Sequence, residues 1–542
     1  MHPVQTFELI LALLGVAIAL HYGAARLRIP PSAALLVGGG ALAFAPGLPL
    51  VELDPELMLV LFLPPLLMDG AYYTAFGRFR RHLPGILSLA IGAVLFSAIV
   101  VSIAVHWLFP QLPWAACLAL GAIVSPPDAV AARAVLQGVR LPRRLQALLE
   151  GESLLNDATG LVLFRFAVAA ALTGMFNPGQ AVGTFLVLAV GGVVIGALVA
   201  AVWMFVMRRL RDETLVVATS VLLCWGAYVA GEAAHVSGVI STVTAGIAFG
   251  WYQHVILPAG VRLQGSAFWR TLVFTLEALV FILMGFSLRS VIERAGGVEA
   301  LVSTYAVPAL TVTAAVIAAR FLWVAGSEMM LTGLKATGLS RARPLGWRQA
   351  GVIGWTGMRG VVTMAVALSL PGNFPGRDMM LVTAFAVILA TVIIQGATLG
   401  WVIRLLRPED KDPPAKMALP AAEAAVARAK FLEAEAVAYD RNGELIHPQL
   451  LETYKSRAEG TAKYAADADN FMERIRPHFD LMLQVIAAGR TELLRLHRHG
   501  EIEDEVLHDL ERDLDFEEMT IVFQRGDDPE DEDQAAAAGR TI

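Results

Sequence analysis

The chain has 542 residues, of which 56% are hydrophobic and only 17% charged, with a mean hydropathy of +0.61. A soluble protein carries about a quarter charged residues, so composition excludes an ordinary soluble globular protein and points to a polytopic membrane protein. The net charge of −6 carries little weight, because most of the 42 basic and 48 acidic residues lie in loops and in the C-terminal stretch.

The first apolar run, 4–22, lacks a basic lead-in and is followed by Arg26 and Arg28. That pattern predicts a first membrane helix and not a cleaved signal peptide. Runs of spanning or near-spanning length follow at 31–46, 56–73, 83–109, 113–137, 146–173, 180–207, 214–233, 237–254, 268–288, 300–327, 349–371 and 379–405, which predicts thirteen helices in all. Arginines gather after the odd-numbered runs, at Arg78, Arg80 and Arg81, at Arg140, Arg143 and Arg144, and at Arg208, Arg209 and Arg211. The loops after even-numbered runs hold few. Positive charge stays on the cytoplasmic side, so the N-terminus is expected outside and the C-terminus in the cytosol. Cys117 and Cys224 sit inside apolar runs and read as small core residues.

Run five contains Ser125-Pro126-Pro127-Asp128, and a double proline in mid-span breaks a helix. Run twelve contains Gly354-Trp355-Thr356-Gly357-Met358-Arg359-Gly360, a second expected interruption. Broken backbone at membrane depth survives only where protein buries it or it lines a wet cavity. Two broken helices an odd number of runs apart suit two six-helix halves in inverted topology.

After Arg407 the composition changes. Pro408, Pro413 and Pro414 make a linker, and from about Leu419 the chain is charged and rich in Ala, Glu, Leu and Arg. Amphipathic helices are expected over 479–498 and 502–519, followed by an acidic run at 527–533 that reads as disordered. The expected division is a membrane domain, 1–407, a cytosolic helical domain, 408–526, and an acidic tail, 527–542. No nucleotide loop, zinc spacing or basic nucleic-acid patch appears, so neither a cofactor nor a nucleic-acid partner is expected.

The polar stretch Gly151-Glu152-Ser153-Leu154-Leu155-Asn156-Asp157-Ala158-Thr159-Gly160 leads into an apolar run interrupted only by Arg165. Glu152 and Asn156, like Ser153 and Asp157, are four apart and form one patch across adjoining helical rows. Ionisable groups in a membrane span must be paired or serve a pathway. Glu8, Arg165, Glu232 and His235 read as span-end residues that snorkel or meet water; Asp69 and Glu277 are open between a structural and a pathway role. Asp128 and Asp157, with carbonyls freed by the break, would make an oxygen-lined cavity for a desolvated cation or a proton. Competition between the two ions at one carboxylate is sufficient for exchange. Arg320 or Arg359 could neutralise Glu152. A channel lined by Asp128 and Asp157 lacks a selectivity-filter repeat, and an aspartyl protease lacks its Gly-x-Gly-Asp signature.

The stretch 151–157 resembles the signature of the monovalent cation:proton antiporters of the NhaP and sodium–hydrogen exchanger branch. Ser125-Pro126-Pro127-Asp128-Ala129-Val130-Ala131 is similar to that branch's unwound segment, and Gly357-Met358-Arg359-Gly360 and Gln395-Gly396-Ala397-Thr398 resemble later segments, so the likeness spans 4–407. It implies an all-α antiporter fold with core and dimerisation domains, a homodimer in the cytoplasmic (inner) membrane, and a transporter, not an enzyme. It further implies Asp157 as the cation- and proton-binding carboxylate, completed by Ser153, Asp128 and backbone oxygen near Pro127. Asn156 would hold the broken segments together, and Glu152 would pair with Arg320 in preference to Arg359. Asn at 156 implies electroneutral exchange of one proton per cation, Na+ foremost, with Li+ and K+ open, and a role in pH regulation. Pro127 and Ala129 replace the family's usual Thr and Pro, so a hydroxyl ligand is lost while a carbonyl survives, which bears on ion selectivity.

Overall fold

The computed structural model describes residues 3–27, 29–46, 54–128, 141–174, 178–337, 344–410, 412 and 417–525. The chain divides into two compact units, Met1–Lys411 and Asp412–Ile542. The regular secondary structure described in both is helical, apart from an isolated bridge between Tyr439 and Leu445.

In the first unit the helices are α1 (Pro3–Leu27), α2 (Pro31–Leu42), α3 (Pro55–Tyr73), α4 (Phe76–Leu108), α5 (Trp114–Val124), α6 (Arg143–Thr173), α7 (Pro178–Met207) and α8 (Glu213–Ala233). They continue with α9 (Gly238–Ile256), α10 (Ala259–Arg294), α11 (Val298–Ala336), α12 (Trp347–Trp355), α13 (Val361–Leu368) and α14 (Arg377–Leu406). Among the described residues nine helices are long and apolar enough to cross a membrane; α2 and α5 are apolar but shorter. The protein is therefore a multi-pass membrane protein.

Local chemistry sets several of these boundaries. Pro31 and Pro55 begin α2 and α3, where a missing N–H costs nothing. Asp54, Asp212 and Ser237 cap α3, α8 and α9 by accepting the N–H groups of Leu57, Leu215 and Ile240 at 2.9, 2.8 and 3.2 Å. Three π-helical turns, Ser88–Ala93, Leu301–Tyr305 and Thr391–Gln395, interrupt α4, α11 and α14. Run five is helical only to Val124, and run twelve is two short helices separated at 356–360. Ala129 lies outside the described residues.

Burial follows the membrane logic of packing without a water-driven force. A cluster including Cys117, Leu120 and Ile123 of α5 packs with Val366 of α13 and Met380 of α14, and so seats the broken helices against each other. Cys224 is also buried, and both cysteines are free thiols. Exposed apolar side chains instead line α1 (Phe7, Leu11) and α7 (Val187, Val190, Leu198).

Past the last residue of α14, Arg407 takes φ 45°, and the chain turns back. Asp410 then accepts from Arg143 of α6 at 2.7 Å, and Glu409 accepts from Arg348 of α12 at 2.7 Å. Gln349, itself 4% exposed, donates to the Glu409 carbonyl at 2.6 Å.

The second unit contains α15 (Leu419–Ala438), α16 (Pro448–Ala466), α17 (Ala468–Arg498) and α18 (Asp504–Arg525). Its small core joins Phe479 and Ile486 to Ile521. Arg490 adds bonds to Asp515 and Glu518 across the α17–α18 pair, which hold its guanidinium above its ordinary pKa. The acidic run at 527–533 lies outside the described residues.

Candidate functional site

The polar patch of α6 lies mid-helix, not at its start. Helix α6 runs from Arg143, so Glu152, Asn156 and Asp157 are interior residues, 2%, 0% and 9% exposed. Gly160 lets α6 approach the first break, because a β-carbon there would strike the Pro126 ring.

Glu152 and Arg320 form a two-pronged ion pair, with Nη1 to Oε1 at 2.6 Å and Nη2 to Oε2 at 2.9 Å. The Arg320 Nε donates to the Ile353 carbonyl of α12 at 2.8 Å, so one side chain ties α6, α11 and α12 together. Planar guanidinium geometry suits this fork, and removing either partner would strand a buried charge.

Asn156 reaches the first break: its Nδ2 donates to the Pro127 carbonyl, and its Oδ1 accepts the Asp157 N–H at 2.8 Å. Ser153, half-buried, stands one turn before Asp157. Among the described residues no donor is bonded to the Asp157 carboxylate oxygens, and the nearby Asp128 carboxylate acts on its charge.

The two breaks cross, and each supplies the charge that the other needs. The Asp128 carboxylate accepts the Val361 N–H at 3.2 Å, at the positive N-terminus of α13. Its own N–H donates to the Met358 carbonyl at 2.6 Å. A β-carbon on Gly360 would collide with this carboxylate, so any side chain there would displace it. Arg359 answers from the other break. Its Nε donates to the Val124 carbonyl at 2.8 Å and its Nη2 to the Ser125 carbonyl at 3.2 Å, at the negative C-terminus of α5, while its Nη1 donates to the Gly357 carbonyl. Arg359 is 1% exposed and is spent on carbonyls, whereas Glu152 takes Arg320.

Sequence reasoning missed Thr391, whose hydroxyl accepts the Arg359 N–H at 3.1 Å, and the capping bond from Asp128 to Val361. Neither leaves a signal in spacing, because each joins segments far apart in the chain. Arg165 and Glu232 pair at 3.4 Å with both side chains exposed. Asp69 lies beside a small cavity lined by Tyr72, Tyr73 and Trp269, apart from the crossing.

Comparisons with known proteins address the whole membrane unit. Residues 9–405 match the family described as sodium/hydrogen exchanger, transmembrane. An uncharacterised Na+/H+ exchanger of Mycobacterium tuberculosis is 31% identical over 511 residues, covering 92% of this chain and 93% of that protein. A protein of Bacillus pumilus named a sodium, potassium, lithium and rubidium/H+ antiporter is 34% identical over 389 residues, covering 68% of this chain and 57% of that one. The sodium proton antiporter MjNhaP1 of Methanocaldococcus jannaschii matches in structure with a TM-score of 0.59 at 19% identity, covering 76% of this chain and all of that one, and shows that the fold is the NhaP antiporter fold. With the membrane unit matched almost from end to end and a relative aligned through the second unit as well, the chain belongs to the sodium/hydrogen exchanger family.

Proposed function

We propose that the protein exchanges a monovalent cation for protons across the cytoplasmic membrane, with Asp157 as the group that binds either ion. The observation that carries this reading is the state of the buried charges. Glu152 is closed off by Arg320, and Arg359 is closed off by carbonyls. Asp157 is buried beside the first break with no bonded donor among the described residues. A carboxylate in that position takes up a proton or a desolvated cation, and the two exclude each other.

Ser153 and the Pro127 carbonyl stand close in the chain or in space to Asp157 and are proposed ligands of the cation. Asp128 serves the site from the side: it caps α13 and adds negative potential at Asp157. Asn156 joins α6 to the first break through Pro127. With one titrating carboxylate per site the exchange is one for one and electroneutral. The protein works as a homodimer, with its N-terminus outside and its C-terminus in the cytosol, and contributes to pH regulation. Na+ is the first candidate cation, and the name of the Bacillus pumilus relative supports testing Li+ and K+ beside it.

The test is collapse of a preset pH gradient in proteoliposomes on adding Na+, Li+, K+ or choline. Collapse by Na+ but not choline, lost in Asp157→Asn, is the expected result. Exchange that survives Asp157→Asn overturns the assignment, and a rate that follows membrane voltage overturns electroneutrality.

A further inference from the structure

The π-turn Thr391–Gln395 of α14 lies along the second break. Thr391 accepts the Arg359 N–H at 3.1 Å, and Thr398 accepts the Trp355 Nε1–H at 3.0 Å. Met358 packs on Gly396, where a β-carbon would sit 3.4 Å from its sulfur. Positions 391, 395 and 398 share one helical face. Gln395 thus stands between the two side chains that grip the break at either end.

Gln395 is 0% exposed, and neither its Nε2 nor its Oε1 has a hydrogen-bond partner among the described residues. The same holds for Ser32 Oγ, 3% exposed, in the first turn of α2. Helix α2 packs against this π-turn, and the Pro30 ring lies 3.9 Å from the β-carbon position of Gly396. Met358 is fully buried with its sulfur toward Gly396, and its N–H is also unbonded among the described residues. Leaving a buried amide unmet is costly, and buried polar groups in such a position are met by internal water. A π-turn is itself a local departure found often at functional sites.

We infer that Gln395 is a positioning residue for the ion site, acting on the 356–360 break through buried water that it shares with Ser32. The inference rests on the exchange reading above. The route is short. Gln395 and its water steady Met358, Met358 holds the Asp128 N–H, and Arg359 holds the Val124 and Ser125 carbonyls. The first break then presents the Pro127 carbonyl beside Asp157. Loosening the second break should therefore weaken cation binding more than it slows turnover.

The experiment compares wild type, Gln395→Met, Gln395→Asn and Ser32→Ala in proteoliposomes, reading KM for Na+ and turnover at saturating Na+, with the Tm of each purified protein. Gln395→Met keeps the shape and removes the amide, so its Tm should hold or rise. Its KM should rise about fivefold to tenfold, the loss of one water-bridged bond, with turnover within about twofold. Gln395→Asn, which keeps the amide and leaves room for water, should stay within about twofold of wild-type KM. An unchanged KM in a stable Gln395→Met protein overturns the inference. So does a joint fall of Tm and turnover at constant KM, which would mark a purely structural residue. Should Gln395→Met fail to accumulate, Ser32→Ala reads the same water, and an unshifted KM there also overturns it. A high-resolution map of wild type gives a readout independent of transport. Density for water between Gln395 and Ser32 supports the inference, and a dry contact removes it. No Na+ response in wild type would count against the exchange reading, while that map would still decide the hydration of the pocket.

Discussion

Two carboxylates five residues apart on α6 meet opposite fates. Glu152 is clamped from both oxygens by Arg320, and Asp157 is left open to the crossing. Removing the clamp would expose its cost: Glu152→Gln should destabilise the purified protein by about 3–5 kcal/mol, because the Arg320 charge would stay buried without its counter-ion. Thermal unfolding measures this, and a Glu152→Gln, Arg320→Gln double variant should recover part of the loss. Asn156→Ala should act differently. It removes the donor to Pro127 and costs about 1–3 kcal/mol, and it should raise the KM for Na+ because the carbonyl is no longer fixed. An unchanged KM with full stability would show that the Asn156 bond does not set the site.

At the scale of elements, the crossing depends on helix ends that would otherwise face each other with bare carbonyls and bare N–H groups. Arg359 fills the first need and Asp128 the second. Replacing Arg359 with Leu should abolish exchange and lower Tm, while Arg359→Lys, a single point charge without the fork, should retain part of the stability. The hydrophobic runs made the helices legible, and the prolines and glycines of runs five and twelve marked both breaks. Helical spacing also showed that Glu152, Asn156 and Asp157 share one patch. What spacing could not show is which distant group each one meets. Spacing does not show that Asp128 also accepts the Val361 N–H, or that Arg359 serves α5 while Arg320 takes Glu152. The π-turns leave no mark in the pattern either, since the apolar residues of 379–405 read as one unbroken helix.

For the molecule as a whole, the boundary after α14 is a place where a cut can be either silent or damaging. Glu409 and Asp410 fold back onto α12 and α6, the helices that lead into the second break and carry Asp157. The ion pairs are exposed and worth little each, but the bond to the Glu409 carbonyl comes from a buried side chain, Gln349. Truncation after Lys411 should leave a membrane unit that exchanges ions at the wild-type rate. Truncation after Leu406 removes these ties and should cost about 1–3 kcal/mol, seen as a lower Tm with reduced exchange. Equal behaviour of the two truncations would show that the folded-back segment contributes nothing.

The contact between Asp128 and Gly360 ties two distant codons into one unit of inheritance. A mutation that adds any side chain at 360 displaces the carboxylate at 128, so that lineage must first replace the acid with a smaller residue. Saturation mutagenesis of codon 360 should therefore return glycine alone while 128 encodes Asp, and should admit alanine or serine once 128 encodes a smaller residue. The two breaks can diverge in sequence only by moving together.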